Sequence, residues 1–212
     1  VYDHPASPSL LNETKDADEW IDAGKFAGNH RMKQSEIEQL LIEKAMEGQN
    51  VARLKGGDPF IFGRGGEEAL ALTAAGIDYE VIPGVSSAYS APAYAGIPIT
   101  HRGKASSFHV ITGHEDPAKG ESSLDYDILA REEGTLVFLM GLSRLRQISD
   151  QLIEKGKDAR TPAAVIASGT TARQRCVTAD LSRIAETAEE ASIQPPAILV
   201  VGDVVNLAGK SL

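Results

Sequence analysis

The chain has 212 residues, 42% apolar and 24% charged, and its 30 Asp and Glu outweigh 21 Lys and Arg for a formal charge of -9. A chain of this length buries roughly 70% of its unfolded surface, enough for one large domain or two small ones, and the composition excludes wholesale disorder. No apolar run of about 18 residues occurs, no signal-peptide pattern is visible in the first residues, and the acidic balance argues against general nucleic-acid binding, so neither membrane nor nucleic acid is an expected partner. The single Cys176 excludes a disulfide framework and a Cys-based zinc site, which fits a cytoplasmic location.

In chain order, residues 34–47 carry Ile37, Leu40, Leu41, Lys44 and Ala45 at helical spacing, which predicts an amphipathic helix stopped by Gly48. A strand is expected at 51–55, a helix at 67–75 closed by Gly76, and a second strand at 79–83 closed by Pro83-Gly84. Residues 85–95 are small and Ala-rich, with Pro92 placed to kink any helix there. A strand at 108–112 precedes a stretch without apolar pattern, and Pro117, Gly120, Ser122 and Ser123 mark it as a linker. Beyond it, strands are expected at 135–140, 162–167, 174–178 and 197–201, with helices at 143–155 and 181–190. Strands separated by helices imply an α/β fold with largely parallel sheets in two lobes, 1–114 and 115–212, with ligands at strand C-termini and between lobes.

The densest feature is Arg53-Leu54-Lys55-Gly56-Gly57-Asp58-Pro59-Phe60-Ile61-Phe62-Gly63-Arg64-Gly65-Gly66-Glu67-Glu68. Five glycines between a strand and a helix admit a ligand close to the backbone. The spacing fits neither a P-loop, since five residues separate Gly57 from Gly63, nor the dinucleotide fingerprint, since Glu68 stands at the last glycine position. On pattern alone a tight turn, with Glu67 and Glu68 complementing the helix dipole, and a ligand loop are equally good readings.

Together with Pro83-Gly84-Val85-Ser86-Ser87-Ala88, Ile97-Pro98-Ile99-Thr100-His101-Arg102 and Thr112-Gly113-His114, this stretch resembles the uroporphyrinogen-III C-methyltransferase branch of the tetrapyrrole methylase family, over essentially the whole chain. The resemblance implies two α/β lobes holding S-adenosyl-L-methionine in a cleft, usually in a homodimer. It implies a small tetrapyrrole substrate, uroporphyrinogen III, methylated at carbons 2 and 7 to precorrin-2, on the route to sirohaem or cobalamin. It implies cofactor contacts at Gly56, Gly57, Asp58, Ile61, Ser86, Ser87, Met140 and Gly169, with Asp3 as proton acceptor and Lys25 as proton donor. The alternatives are a relative acting on a later corrin precursor and a nucleotide-binding module without turnover. The family opens with a strand and a Gly-Pro-Gly-Asp-Pro loop that this chain, starting at Val1 without Met, does not contain, and Phe26 stands where the family commonly has Arg.

Displacement of a methyl from a sulfonium by an electron-rich pyrrole needs alignment and an acid/base pair, but no metal. The five His lack metal-ligand spacing, and no metal is expected. A substrate with eight carboxylates needs a local basic zone. Residues 81–114 contain no Asp or Glu but hold His101, Arg102, Lys104, His109 and His114, and Arg64 and Arg31 are placed to join them from other loops. His101, Arg102 and Arg64 are therefore the expected substrate contacts. Cys176 reads as a core thiol, Trp20 as an aromatic packing residue, and Arg144 and Arg146 as a solvated helix face.

Overall fold

The computed structural model describes residues 1–3, 19–24, 32–114 and 124–209, and its backbone divides into two units, Val1–Ser86 and Ser87–Leu212. Lys25, Phe26, Arg31 and the linker signals at 117–123 lie outside the described residues. The division falls well ahead of the composition break at residue 115. Its cause is the strand at 108–112, whose backbone bonds go to a strand of the second unit.

In the first unit, helix α1 (Gln34–Met46) buries Ile37 and Leu41 against Ala23, with Val1, Met32, Val51 and Leu72 packed around them. Helix α2 (Gly65–Ala74) starts two residues before its predicted position and packs on α1. The strands expected at 51–55 and 79–83 do not form as regular strands. What forms instead is a pair of parallel bridges centred on Tyr2, to Asp22 and to Leu54. Tyr2 N donates to Ile21 O at 3.0 Å, Leu54 N donates to Val1 O at 2.9 Å, and Asp3 N to Leu54 O at 3.3 Å. Trp20 meets Tyr2 edge to face with ring centroids 6.4 Å apart, the aromatic packing expected of it.

The second unit begins with helix α3 (Ser87–Tyr94), which accommodates Pro92 in its last turn. Its sheet comprises β1 (Phe108–Thr112), β2 (Thr135–Leu139), β3 (Pro162–Ala167), β4 (Arg175–Asp180) and β5 (Ala197–Val201), in the order β1-β2-β5-β3-β4. The expectation of mainly parallel strands is corrected here: β1 and β2 are parallel, whereas β2–β5, β3–β5 and β3–β4 are antiparallel. The reason is local. The segment between β3 and β4 holds no helix, so the chain doubles back as a hairpin, and the β4–helix–β5 crossover carries the reversed direction into the middle of the sheet.

Helix α4 (Tyr126–Arg131), unread in the sequence, is capped by Asp125, whose carboxylate accepts from Ile128 N at 3.0 Å. Helices α5 (Leu145–Glu154) and α6 (Ile184–Glu190) cover one face of the sheet, packing Leu145, Ile148, Leu152 and Ile184 on Leu136, Phe138, Val165 and Leu199. The other face, Val137, Ala164, Ile166 and Val200, is covered by Ala88 and Ala91 of α3 and by Val204 and Val205. Burial of both faces explains why β2, β3 and β5 read as continuous apolar runs. Cys176 is exposed, not a core thiol, because Val177 and Ala179 are the residues by which edge strand β4 packs on the core. Among the described residues no helix is long and apolar enough to cross a membrane.

Candidate active site

Within the first unit the glycine-rich connection is held by its own aspartate. Asp58 Oδ1 accepts from Phe60 N at 2.8 Å, and Oδ2 accepts from Gly84 N at 3.1 Å. The loop is thereby fastened to the Pro83-Gly84 turn, leaving Gly56, Gly57 and Ile61 exposed and Ser86 buried. The turn reading is thus physically real, and it coexists with an open face of backbone and apolar side chain on which a ligand can rest.

Asp3, the expected proton acceptor, sits beside the Tyr2 bridges with its carboxylate gripped from one side. The terminal Arg53 nitrogen Nη2 donates to both Asp3 oxygens at 2.8 Å, and Lys55 Nζ is 4.0 Å away. Behind these cations stands Glu68, on the first turn of α2, which accepts from Arg53 Nε at 3.2 Å and Lys55 Nζ at 3.0 Å. The Asp3 side chain remains 23% exposed, whereas those of Arg53, Lys55 and Glu68 are 12%, 8% and 6% exposed. Sequence reasoning passed over these three as functional residues. The available signal was the Arg53-Leu54-Lys55 spacing, since residues two apart in an extended segment point to one side. Arg64, expected at the substrate, is the N-cap of α2 and exposed. Its Nε donates to Glu67 Oε1 at 2.9 Å, and this hydrogen bond holds the Glu67 carboxyl below the usual range.

Within the second unit, β1, β2 and β3 run in one direction and end at the same edge of the sheet. There Gly113 N donates to Leu139 O at 2.7 Å, and Met140 and Ser168 take positive φ values of 57° and 49°. Met140 is 50% exposed although apolar. Gly169 follows β3 so close to α3 that a Cβ there would lie 2.4 Å from that of Ala91. Strained non-glycine residues and exposed apolar surface at strand C-termini fit the position where α/β sheets bind ligands. Ser87 starts α3 and is exposed.

His101 and Arg102 are both exposed in a turn closed by His101 N donating to Ala105 O at 3.0 Å, which feeds the start of β1, not its end. Two other basic side chains of the acid-free zone face acids. His109 Nε2 lies 3.0 Å from Glu132, and Lys104 lies 4.0 Å from Asp203. A polar cavity of about 460 Å³, lined by residues 103–107 and 131–134, lies at the starts of β1 and β2, and none of the candidate residues lines it. Arg146 pairs with Glu189 at 3.1 Å with both side chains exposed, the solvated face expected.

Comparison with known proteins follows the same outline. The model of the tetrapyrrole (corrin/porphyrin) methylases matches residues 1–185. The chain is 51% identical over 207 residues to the S-adenosyl-L-methionine-dependent uroporphyrinogen III methyltransferase of Methanosarcina barkeri, covering 98% of this chain and 81% of that one. It is 50% identical over 206 residues to the uroporphyrinogen-III C-methyltransferase of Bacillus subtilis, covering 97% of this chain and 43% of that one. Its fold superimposes with a TM-score of 0.81 on a crystal structure of the Thermus thermophilus uroporphyrin-III C-methyltransferase complexed with S-adenosyl homocysteine, at 37% identity, covering 98% of this chain and 86% of that one. The chain belongs to the tetrapyrrole (corrin/porphyrin) methylase family.

Proposed function

We propose that this chain is an S-adenosyl-L-methionine-dependent C-methyltransferase that converts uroporphyrinogen III to precorrin-2 by methylating carbons 2 and 7. The observation that carries this reading is half-identity, over nearly the whole chain, to two relatives named for that substrate, one of them also for that cofactor.

The residues present fit such a cofactor. In the first unit exposed Gly56 and Gly57 leave backbone accessible and Ile61, 36% exposed, offers apolar surface; in the second unit Met140, 50% exposed, offers apolar surface of its own. When bound, S-adenosylmethionine supplies an electrophilic methyl on sulfur. The chain's own part is positional and acid/base. Asp58 fixes the loop that carries Gly56, Gly57 and Ile61. Ser86, Ser87 and Gly169 complete the cofactor contacts in this reading. Asp3, held by Arg53 yet partly open to solvent, takes the proton that the methylated ring must lose, and Lys25 returns one. His101, Arg102 and Arg64 meet the substrate carboxylates.

The same reading makes the protein a cytoplasmic homodimer. Ile82 and Val85, 69% and 66% exposed, are apolar surface of the kind that a second chain covers. Incubation with methyl-labelled cofactor and enzymatically prepared uroporphyrinogen III tests the activity. Two labelled methyls on the product are expected, and absence of label from a dimethylated tetrapyrrole sinks the reading.

A further inference from the structure

Three donors of the first unit converge on one oxygen that touches no candidate contact. Glu68 is 5% exposed, and its Oε1 accepts from Gln34 Nε2 at 3.3 Å, Arg53 Nε at 3.2 Å and Lys55 Nζ at 3.0 Å. A carboxylate this buried is costly unless several donors and a helix N-terminus compensate it, and Glu68 has both.

Burial of a four-charge cluster is a poor way to gain stability, because apolar residues of similar size do at least as well. What the cluster does achieve is orientation. Glu68 holds the Arg53 guanidinium by its Nε edge, so that Nη2 faces Asp3 and meets both carboxylate oxygens at 2.8 Å. It also holds Lys55 4.0 Å from Asp3, not in direct contact with it. Without Glu68, two buried cations would face one carboxylate, and Lys55 would be free to close on Asp3.

We infer that Glu68 is a positioning residue of the methyl-transfer reaction: acting through Arg53 and Lys55, it fixes the orientation of the Asp3 carboxylate. The inference rests on the reading of Asp3 as the proton acceptor.

The test compares Asp3→Asn, Glu68→Gln, Glu68→Asp, Arg53→Lys and the Arg53→Lys/Glu68→Gln pair in the full chain. Each is followed by kcat and KM for the tetrapyrrole, by calorimetric cofactor binding and by thermal melting. Asp3→Asn should lower kcat about 100-fold or more. Glu68→Gln should lower kcat about 10- to 100-fold with KM and cofactor affinity little changed. Glu68→Asp, which keeps the charge, should recover part of that loss. Because Glu68 acts in part through Arg53, the double variant should lose less than the product of the two single losses. A Glu68→Gln protein that melts earlier but turns over at the wild-type rate, or single effects that multiply in the double variant, overturns the inference. If Glu68→Gln does not fold, Glu68→Asp combined with Arg53→Lys gives the same non-additivity test. Wild-type kcat in Asp3→Asn overturns the reading of Asp3 instead, and separates the two failures.

Discussion

Asp58 and Gly84 are joined by a 3.1 Å hydrogen bond from the glycine N–H to Oδ2, across a contact so close that a Cβ on Gly84 would lie 2.1 Å from the carbonyl oxygen of Gly57. Asp58→Ala removes the side-chain acceptor for both Phe60 N and Gly84 N, and loss of a hydrogen bond of this kind costs about 0.5–1.5 kcal/mol. The loop that exposes Gly56 and Gly57 loses its anchor at the same time. The expected outcome is an earlier melt together with cofactor binding weakened about tenfold, equivalent to about 1.4 kcal/mol. Calorimetry well below the melting transition separates the two. Unchanged affinity in the destabilised variant would mean that the brace serves folding alone.

Gly169 presents the same steric argument in the second unit, with a built-in control. Gly169→Ala drives a Cβ to 2.4 Å from the Ala91 side chain and 3.1 Å from its Cα, so α3 must shift. A loss of about 1–3 kcal/mol is expected, as for other overpacked sites. Ala91→Gly frees the space but costs about 1 kcal/mol of helix propensity. The double variant should therefore be more stable than Gly169→Ala alone. Strictly additive losses on chemical denaturation would contradict the contact.

These packing details mark the limit of what the sequence displayed. The edges of β3 and β5 were legible to the residue, because burial on both faces writes an unbroken apolar run such as Ala197 to Val201. Their directions were not, because the β3–β4 hairpin depends on a connection without a helix, and the strand reading of 174–178 left that connection unnoticed. Residues 51–55 looked like a strand from their composition, but a strand needs a ladder, and the described neighbours give Leu54 a single bridge to Tyr2. At the site, the glycines were visible as a motif. The cation pair Arg53 and Lys55 with Glu68 was not, because Glu67 and Glu68 are alike in sequence and only the fold turns one outward to Arg64 and buries the other.

That outward pair supplies a pH prediction. The Arg64 hydrogen bond holds the Glu67 carboxyl below the usual carboxylate range and raises the Arg64 guanidinium. A carboxyl whose folded value is depressed stabilises the fold fully above its unfolded value, about 4.3, and loses that contribution as pH falls through the folded value. Both side chains are about half exposed, so the contribution is no more than about 0.5 kcal/mol. Wild type should melt about 1–2 °C above Glu67→Gln at pH 7, and the gap should narrow as pH falls below about 4.3. A gap that keeps its size as pH falls would show that the ion pair is not its source.

The last prediction concerns the substrate side of the proposed reaction. Arg102 lies exposed beside His101 in the turn before β1, while Lys104 and His109 face Asp203 and Glu132. Of the basic residues in the acid-free segment, Arg102 is the one with a planar fork suited to a carboxylate. In the proposed reaction its contact would be made equally with substrate and transition state, so Arg102→Ala should raise KM for the tetrapyrrole about tenfold and leave kcat within about a factor of two. Because the contact is solvent-exposed, salt should screen it. Raising ionic strength from about 0.01 to 0.15 M shortens the Debye length from about 30 to 8 Å, and wild-type KM should rise toward that of the variant. Steady-state kinetics at the two salt concentrations decide the matter: a variant with wild-type KM at low salt would remove Arg102 from substrate recognition, and a variant that loses kcat at unchanged KM would place it in the chemical step.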